Sequence, residues 1–391
     1  MITFEEAFRI VMNSSFNTGI EVISFDESLG RVLAEKIISD MDMPPFNKAS
    51  VDGFACRRSD LNTELEIIET IPAGKWPEKS PRAGECSRIM TGAAVPAGAD
   101  CVVMVEDTEI LPSGRMKFKG SFVKENIAHR GEDIKKGDIV LKSGKLIKPQ
   151  DIAVMASVGK TKVRVSRAPR IAVISSGDEL VEPMNIPGIS EIRNSNAFQL
   201  MAQMDSTRAS GKYYGIARDE EQETFKIISR AISENDIVLI TGGVSMGDFD
   251  FIPQVLVNAG VKILFSRVAV QPGKPTTFGI HEKAIVFGLP GNPVSSFLQF
   301  ELLVKPLIYK MMDYDLKPSV SEHVMVEKFT RRDDERMALV PVKILDDGGA
   351  IPVEFHGSGH LSSLSGADGI IFVPIGVKFI DKGVKVNVRQ I

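Results

Sequence analysis

The sequence predicts a multidomain α/β protein: a central α/β domain built on a parallel sheet, with smaller β-rich units before and after it. Three observations carry that expectation. Between residues 168 and 313, buried-strand runs alternate with segments of helical periodicity, the pattern of right-handed βαβ crossovers. On either side, short apolar runs are separated by proline and glycine, as in small β domains. The chain has 391 residues, which points to two to four domains rather than one.

Composition narrows the function. The chain is 43% hydrophobic and 25% charged, ordinary globular material for several cores. Net charge is −4 with no run of Lys and Arg, which argues against a nucleic-acid partner held by phosphate neutralisation. Cys56, Cys86 and Cys101 are far apart with no C-x-x-C, so neither a disulfide framework nor a cysteine zinc site is expected, and the cytoplasm is the natural compartment. His356 and His360 lie four apart in a glycine-rich stretch and read as loop residues. The acidic, amphipathic N-terminus is not a secretory signal. No apolar run reaches the roughly 18 residues of a membrane span.

Taken in order, Thr3 to about Ser14 reads as a helix, with a T-x-x-E start at Thr3 and Glu6 and one face of Phe4, Ala7, Phe8 and Val11. A second short helix is expected over Glu27–Glu35, followed by an extended Ile37-Ile38. Met43-Pro44-Pro45-Phe46 is a rigid linker, and Asp52-Gly53 a turn signal before Phe54 and Ala55. Short strands at 65–68, 87–90 and 101–105 then make a small β domain. Pro149 opens a helix that Gly159 stops. The expected units are a discontinuous N-terminal domain (1–42 and 135–167), an inserted β domain (43–134), the α/β domain (168–313) and a C-terminal β domain (314–391). The last is expected to be a small β-barrel, with a sandwich as the alternative. Its RRDDER stretch, 331–336, reads as a solvated hairpin turn.

The α/β domain concentrates the chemistry. Ile237–Thr241 is a continuous apolar run fed by Asn235-Asp236 and stopped by Gly242-Gly243, which fits a central parallel strand. The glycines free backbone N–H groups for an oxyanion. Asp248 and Asp250 follow, and carboxylates beside a phosphate cradle imply a bridging Mg²⁺. A strand end with a solvated acidic turn accounts for the same residues equally well. Ser175–Leu180 and Pro290–Ser296 also follow expected strands. Three such loops on one sheet edge mark a ligand site, since ligands bind outside the carboxyl ends of the strands.

Seven motifs stand in one order: NKASVDGFA (47–55), IMTGAAVPAGADCVV (89–103), RGEDI (130–134), SSGDEL (175–180), TGGVSMGDFD (241–250), PGKP (272–275) and LPGNPVSS (289–296). With them the sequence resembles, over essentially its whole length, the molybdopterin molybdenumtransferase family, which includes bacterial MoeA proteins and the E domain of gephyrin. The resemblance implies that molybdenum is inserted into the dithiolene of molybdopterin: adenylyl-molybdopterin and molybdate give molybdenum cofactor and AMP, with Mg²⁺ assisting. It implies a molybdopterin-binding-type central domain and an elongated homodimer whose site is shared between subunits. A molybdopterin adenylyltransferase is the expected upstream partner; no nucleic acid or membrane is.

The resemblance also implies site residues. Asp52 matches the aspartate of the family's D-G-[YF]-A motif, implicated in catalysis, and Thr91 is a hydroxyl contact; without the family both read as turn residues. Asp133 could support the same site, or be an Asp in a charged turn. Gly242, Gly243, Ser245, Pro290, Gly291, Asn292 and Pro293 are expected to hold the substrate, with the helix after Pro293 adding a favourable dipole. Glu179, Asp219 and Asp250 are the candidate metal ligands, and Asp219 and Asp250 also catalytic candidates. Lys274 is the leading cation for the anionic substrates; Arg267 and Arg193 are secondary, and for each a surface arginine is the favoured reading. Gln271 stands where many relatives carry lysine, which removes a charge from the expected molybdate-binding loop. Two other readings are an adenylyltransferase with a similar α/β module and a non-catalytic scaffold. The flanking D-G-F-A and M-T-G-A motifs favour insertion over the first, and the carboxylate set favours catalysis over the second.

Overall fold

A computed structural model describes residues 1–218, 220–243, 252–353 and 361–391. The helix Phe4–Asn13 starts where Glu6 N–H donates to the Thr3 hydroxyl (3.1 Å), satisfying one orphan donor of the first turn. Its Ala7 and Val11 are buried against the central domain, with Phe4 and Phe8 packed beside them. The helix expected over Glu27–Glu35 does not form. A 3₁₀ turn spans Phe25–Glu27, Gly30 adopts φ 75°, and Val32 and Leu33 bridge to Leu146 and Val165. Tertiary strand pairing outweighs a weak helical pattern there. Ile20–Ser24 pairs antiparallel with Lys162–Ser166, and Ile37–Ile38 with Ile139–Leu141. The segments before and after residues 43–134 thus pair with each other.

Between them lies a four-stranded sheet in the spatial order Glu66–Ile71, Glu85–Ile89, Gly53–Cys56, Cys101–Met104. Gly53 opens its strand because no side chain fits: a Cβ there would sit 1.8 Å from the Val103 carbonyl oxygen. The three cysteines that are far apart in sequence stand side by side. Cys56 is in register with both Cys86 and Cys101, and the Cys56 and Cys101 sulfurs are 3.9 Å apart as free, buried thiols.

The central sheet has six strands in the spatial order Ser210–Ala217, Arg170–Ser176, Ile237–Thr241, Ile285–Leu289, Thr277–Ile280, Lys262–Phe265. The first four are parallel. Thr277–Ile280 runs antiparallel to both its neighbours, so the sheet is mixed where a parallel one is expected. A tight turn, in which His281 N–H donates to the Ala284 carbonyl (2.9 Å), leaves no length for a crossover. Alternate residues of Ile237–Thr241 face opposite sides. Ile237 and Leu239 meet the helices Asn196–Ser206 and Pro293–Gln299, while Val238 and Ile240 meet Glu221–Glu234 and Ile252–Asn258. All five residues are buried, and each aliphatic side chain so buried contributes about 1.5–3 kcal/mol. At the strand's other end, Asp236 accepts from Arg167 Nη1 (2.9 Å), Arg170 N (2.8 Å) and Arg170 Nη2 (3.2 Å). This ties the entry into the domain to its central strand.

The C-terminal strands Met337–Ile344, Gly349–Pro352, Val320–Met325, Lys385–Gln390 and Gly369–Val373 pair in a ring, the last closing onto the first. This is a five-stranded barrel. Val270–Gln271 adds to its rim by pairing with Met337 and Ala338. Among the described residues no helix is long and apolar enough to cross a membrane.

Candidate active site

The parallel strands deliver their C-terminal loops to one edge. Ser175, Thr241 and Leu289 are in register across three adjacent strands, so Ser176-Gly177, Gly242-Gly243 and Pro290-Gly291 emerge together. Thr277 pairs with Gly288, which brings the loop 272–276 to the same edge. Gly242 is half-buried and tightly approached. Its N–H donates to the Leu289 carbonyl (3.2 Å), its φ is 91°, and a Cβ would meet the Ser176 carbonyl oxygen at 2.2 Å. Both the left-handed conformation and the close approach require glycine. Gly291 sits against it, its own Cβ position 3.5 Å from Gly242 Cα. Asn196 fastens two loops, donating from Nδ2 to Thr241 Oγ1 (2.9 Å) and to the Gly291 carbonyl (2.7 Å).

Pro290 is buried, while Gly291 and Asn292 are exposed. Asn292 is the N-cap of Pro293–Gln299, so the helix begins at the edge. Lys274 is exposed, its carbonyl accepting from Val268 N–H (3.0 Å) and Thr276 N–H (2.9 Å). Arg267 is half-buried after the strand Lys262–Phe265, and its carbonyl accepts from Ile2 N–H (3.1 Å). Arg193 instead braces a loop, donating from Nε to the Pro183 and Asn185 carbonyls (3.0 and 3.1 Å). Glu179 is exposed at the same edge, its carboxylate folded back so that a Cβ on Gly177 would fall 2.4 Å from Oε2. Asp219, Ser245, Asp248 and Asp250 lie outside the described residues. Among the described residues no three His, Cys, Asp or Glu side chains gather as a metal site.

Asp52 and Thr91, 39 residues apart, form one unit. The Thr91 N–H and hydroxyl both donate to Asp52 Oδ1 at 2.6 Å. The hydroxyl first, and then the N–H, hold the exposed Asp52 carboxyl below its usual pKa. Asp133 is exposed and makes no hydrogen bond to either; its N–H donates to the Met43 carbonyl (3.1 Å).

Sequence reasoning missed several groups at the sheet edge. Ser176 Oγ, Thr277 Oγ1 and both amide atoms of Gln299 are buried with no hydrogen-bond partner among the described residues. Buried polar groups without partners are uncommon. A serine, threonine or glutamine inside an apolar pattern gives no sequence signal of that state. RRDDER is not a simple solvated turn. Arg331 donates to the carbonyls of Val377, Arg336 and Pro374 (2.7, 2.6 and 2.6 Å). Arg336 pairs with Asp333 (2.7 Å) and reaches Gln271 Oε1 (3.5 Å). A guanidinium from the barrel therefore stands beside the position where the charge is missing.

Glycine loops at the carboxyl edge of an α/β sheet, next to an exposed lysine and a carboxylate, define an anion-handling site of the kind that binds phosphorylated ligands. The comparisons give the class. Residues 2–159 match the MoeA N-terminal region (domain I and II), 172–310 a probable molybdopterin-binding domain, and 327–391 the MoeA C-terminal region (domain IV). The molybdopterin molybdenumtransferase of Staphylococcus epidermidis is 37% identical over 99% of this chain and 95% of its own, and that of Staphylococcus aureus 33% over the same shares. A crystal structure of the molybdopterin biosynthesis MoeA protein from Pyrococcus horikoshii OT3 covers 100% of both chains, with a TM-score of 0.85 and 29% identity. The chain belongs to the MoeA family of molybdopterin molybdenumtransferases, enzymes of molybdenum cofactor biosynthesis.

Proposed function

We propose that this chain inserts molybdenum into molybdopterin, taking adenylyl-molybdopterin and molybdate and releasing molybdenum cofactor and AMP. The observation that carries this reading is the convergence of Gly242, Gly243, Gly291 and Lys274 on one sheet edge, with the Asp52–Thr91 unit on a separate β domain. The first group suits the phosphates: the glycines let ligand oxygens approach the backbone closely and the lysine supplies a positive charge. The second suits the metal-receiving end. Asp52, kept ionised by Thr91, accepts and orients a proton of water or of a molybdate oxygen.

This reading includes an assisting Mg²⁺. Glu179 offers a hard oxygen at the loop edge, and Mg²⁺ takes one or two carboxylates together with substrate phosphates. Asp219 and Asp250 are the proposed companions. When bound, the ion would neutralise the phosphoanhydride charge during cleavage. This reading includes a homodimer, as the family resemblance implies, in which a second copy supplies the Asp52–Thr91 unit to the sheet edge. The same reading keeps the division into 1–42 with 135–167, 43–134, 168–313 and 314–391, an upstream adenylyltransferase, and a cytoplasmic location.

The test is AMP release from adenylyl-molybdopterin, with and without molybdate and Mg²⁺. Molybdate-dependent release with metal-loaded pterin as product is the expected result. Tight binding without release refutes it in favour of a scaffold, and AMP release that ignores molybdate refutes insertion.

A further inference from the structure

We infer that Trp76 is a stacking platform for the pterin ring of the substrate, a reading that rests on the proposed function. Trp76 is the chain's single tryptophan and is 71% exposed, an unusual state for the side chain with most apolar area to bury. Its ring is nonetheless held. Phe46, half-buried, meets it edge-on with centroids 5.6 Å apart. Its loop is braced at the base: the Glu69 carboxylate accepts from Glu78 N–H (3.1 Å) and Lys79 N–H (3.2 Å), and Lys79 Nζ donates to the Ile68 carbonyl (2.9 Å).

The loop leaves the sheet at the edge that carries Asp52. Ile71 pairs with Ile89, and Ile89 with Gly53, so the strand ends leading to Trp76, Thr91 and Asp52 stand side by side. Two strand spacings separate the outer two, about 10 Å. A second path joins the same points. Val95 N–H donates to the Asn47 carbonyl (2.9 Å) and Gly92 N–H to the Ala49 carbonyl (2.8 Å), which lays the Thr91 loop along the segment from Phe46 to Asp52. In molybdopterin the dithiolene lies between the pterin and the phosphate. With the phosphates on the glycine loops and the dithiolene at Asp52, the pterin falls beyond Asp52, where Trp76 offers a rigid aromatic surface. Lys75 is exposed beside it, and no part of the proposed reaction otherwise uses this loop.

The single tryptophan makes the test direct. Full-length protein is titrated with a pterin carrying one phosphate monoester, and separately with AMP, while tryptophan emission is followed. Saturable quenching by the pterin and none by AMP is expected; quenching by AMP alone assigns the ring to adenine and overturns the inference. Steady-state AMP release is then compared for wild type, Trp76→Phe and Trp76→Ala. Loss of one aromatic stack is expected to raise KM about tenfold in the alanine variant, with kcat within about twofold and the phenylalanine variant near wild type. Unchanged KM in Trp76→Ala overturns the inference while leaving the proposed function intact. Inactive wild-type protein instead removes the proposed function. If Trp76→Ala shifts the subunit assembly by light scattering and its KM defect vanishes at high protein concentration, the ring packs on a second copy and the inference fails.

Discussion

Replacing Gly242 by alanine tests the geometry of the sheet edge most sharply. The added Cβ would lie 2.2 Å from the Ser176 carbonyl oxygen and 3.3 Å from its carbon, at φ 91°. Ordinary contact needs roughly 1 Å more, so one strand end must move away from the other. The left-handed conformation costs about 1–2 kcal/mol, and forcing the overpacked contact about 1–3 kcal/mol. The sum, about 2–5 kcal/mol, is a large part of a domain's stability of about 5–15 kcal/mol. The neighbouring glycines provide a graded control. A Cβ on Gly243 would meet Ile252 Cγ1 at 2.8 Å with φ 63°, whereas on Gly291 it finds only ordinary contact at 3.5 Å without a positive φ. Urea unfolding followed by circular dichroism should therefore rank the variants Gly242→Ala below Gly243→Ala below Gly291→Ala in stability. AMP release should fall in the same order for the folded fractions. A Gly242→Ala protein as stable and as active as wild type, or less affected than Gly291→Ala, would refute the reasoning.

Three further outcomes are expected. Thr91→Val removes the hydroxyl that contributes most to lowering the Asp52 pKa, so the acidic limb of kcat/KM should move to higher pH; an unmoved limb means Asp52 ionisation does not govern the reaction. Asp52→Ala should leave the protein folded, since the side chain is exposed and loses only its two bonds from Thr91, while lowering molybdenum insertion by orders of magnitude; an unchanged rate removes Asp52 from the site. Asp236 is buried, which opposes its ionisation, but the bonds from Arg167 and Arg170 outweigh this and leave its pKa lowered. Its contribution is thus present above the ordinary carboxylate value near pH 4 and is lost as the pH falls through the folded value. Asp236→Asn should cost about 1–3 kcal/mol at neutral pH, discounted toward the lower end because both arginines are partly exposed. The difference from wild type should shrink in acid, and a pH-independent difference would contradict the ion-pair account.

The boundary between sequence and tertiary structure follows the range of the forces involved. Ile237–Thr241 was legible because a strand buried on both faces is a continuous apolar run between turn residues, and its observed bounds are the expected ones. Ser210–Ala217 was not, since it contains two glycines and is only partly buried along most of its length. Thr277–Ile280 was missed because its four residues gain their strand character from two antiparallel neighbours. The site shows the same division. Asp52, Thr91 and Lys274 could each be named from motifs, which are local. That Thr91 donates twice to Asp52, that Arg336 reaches Gln271, and that three distant cysteines line up across adjacent strands are matters of strand order and register. By itself, then, the sequence determined the apolar periods, the glycines and the motif chemistry, because these act within a few residues. Only the tertiary structure decided which of those groups meet, because contacts between distant residues depend on how whole strands pair and pack.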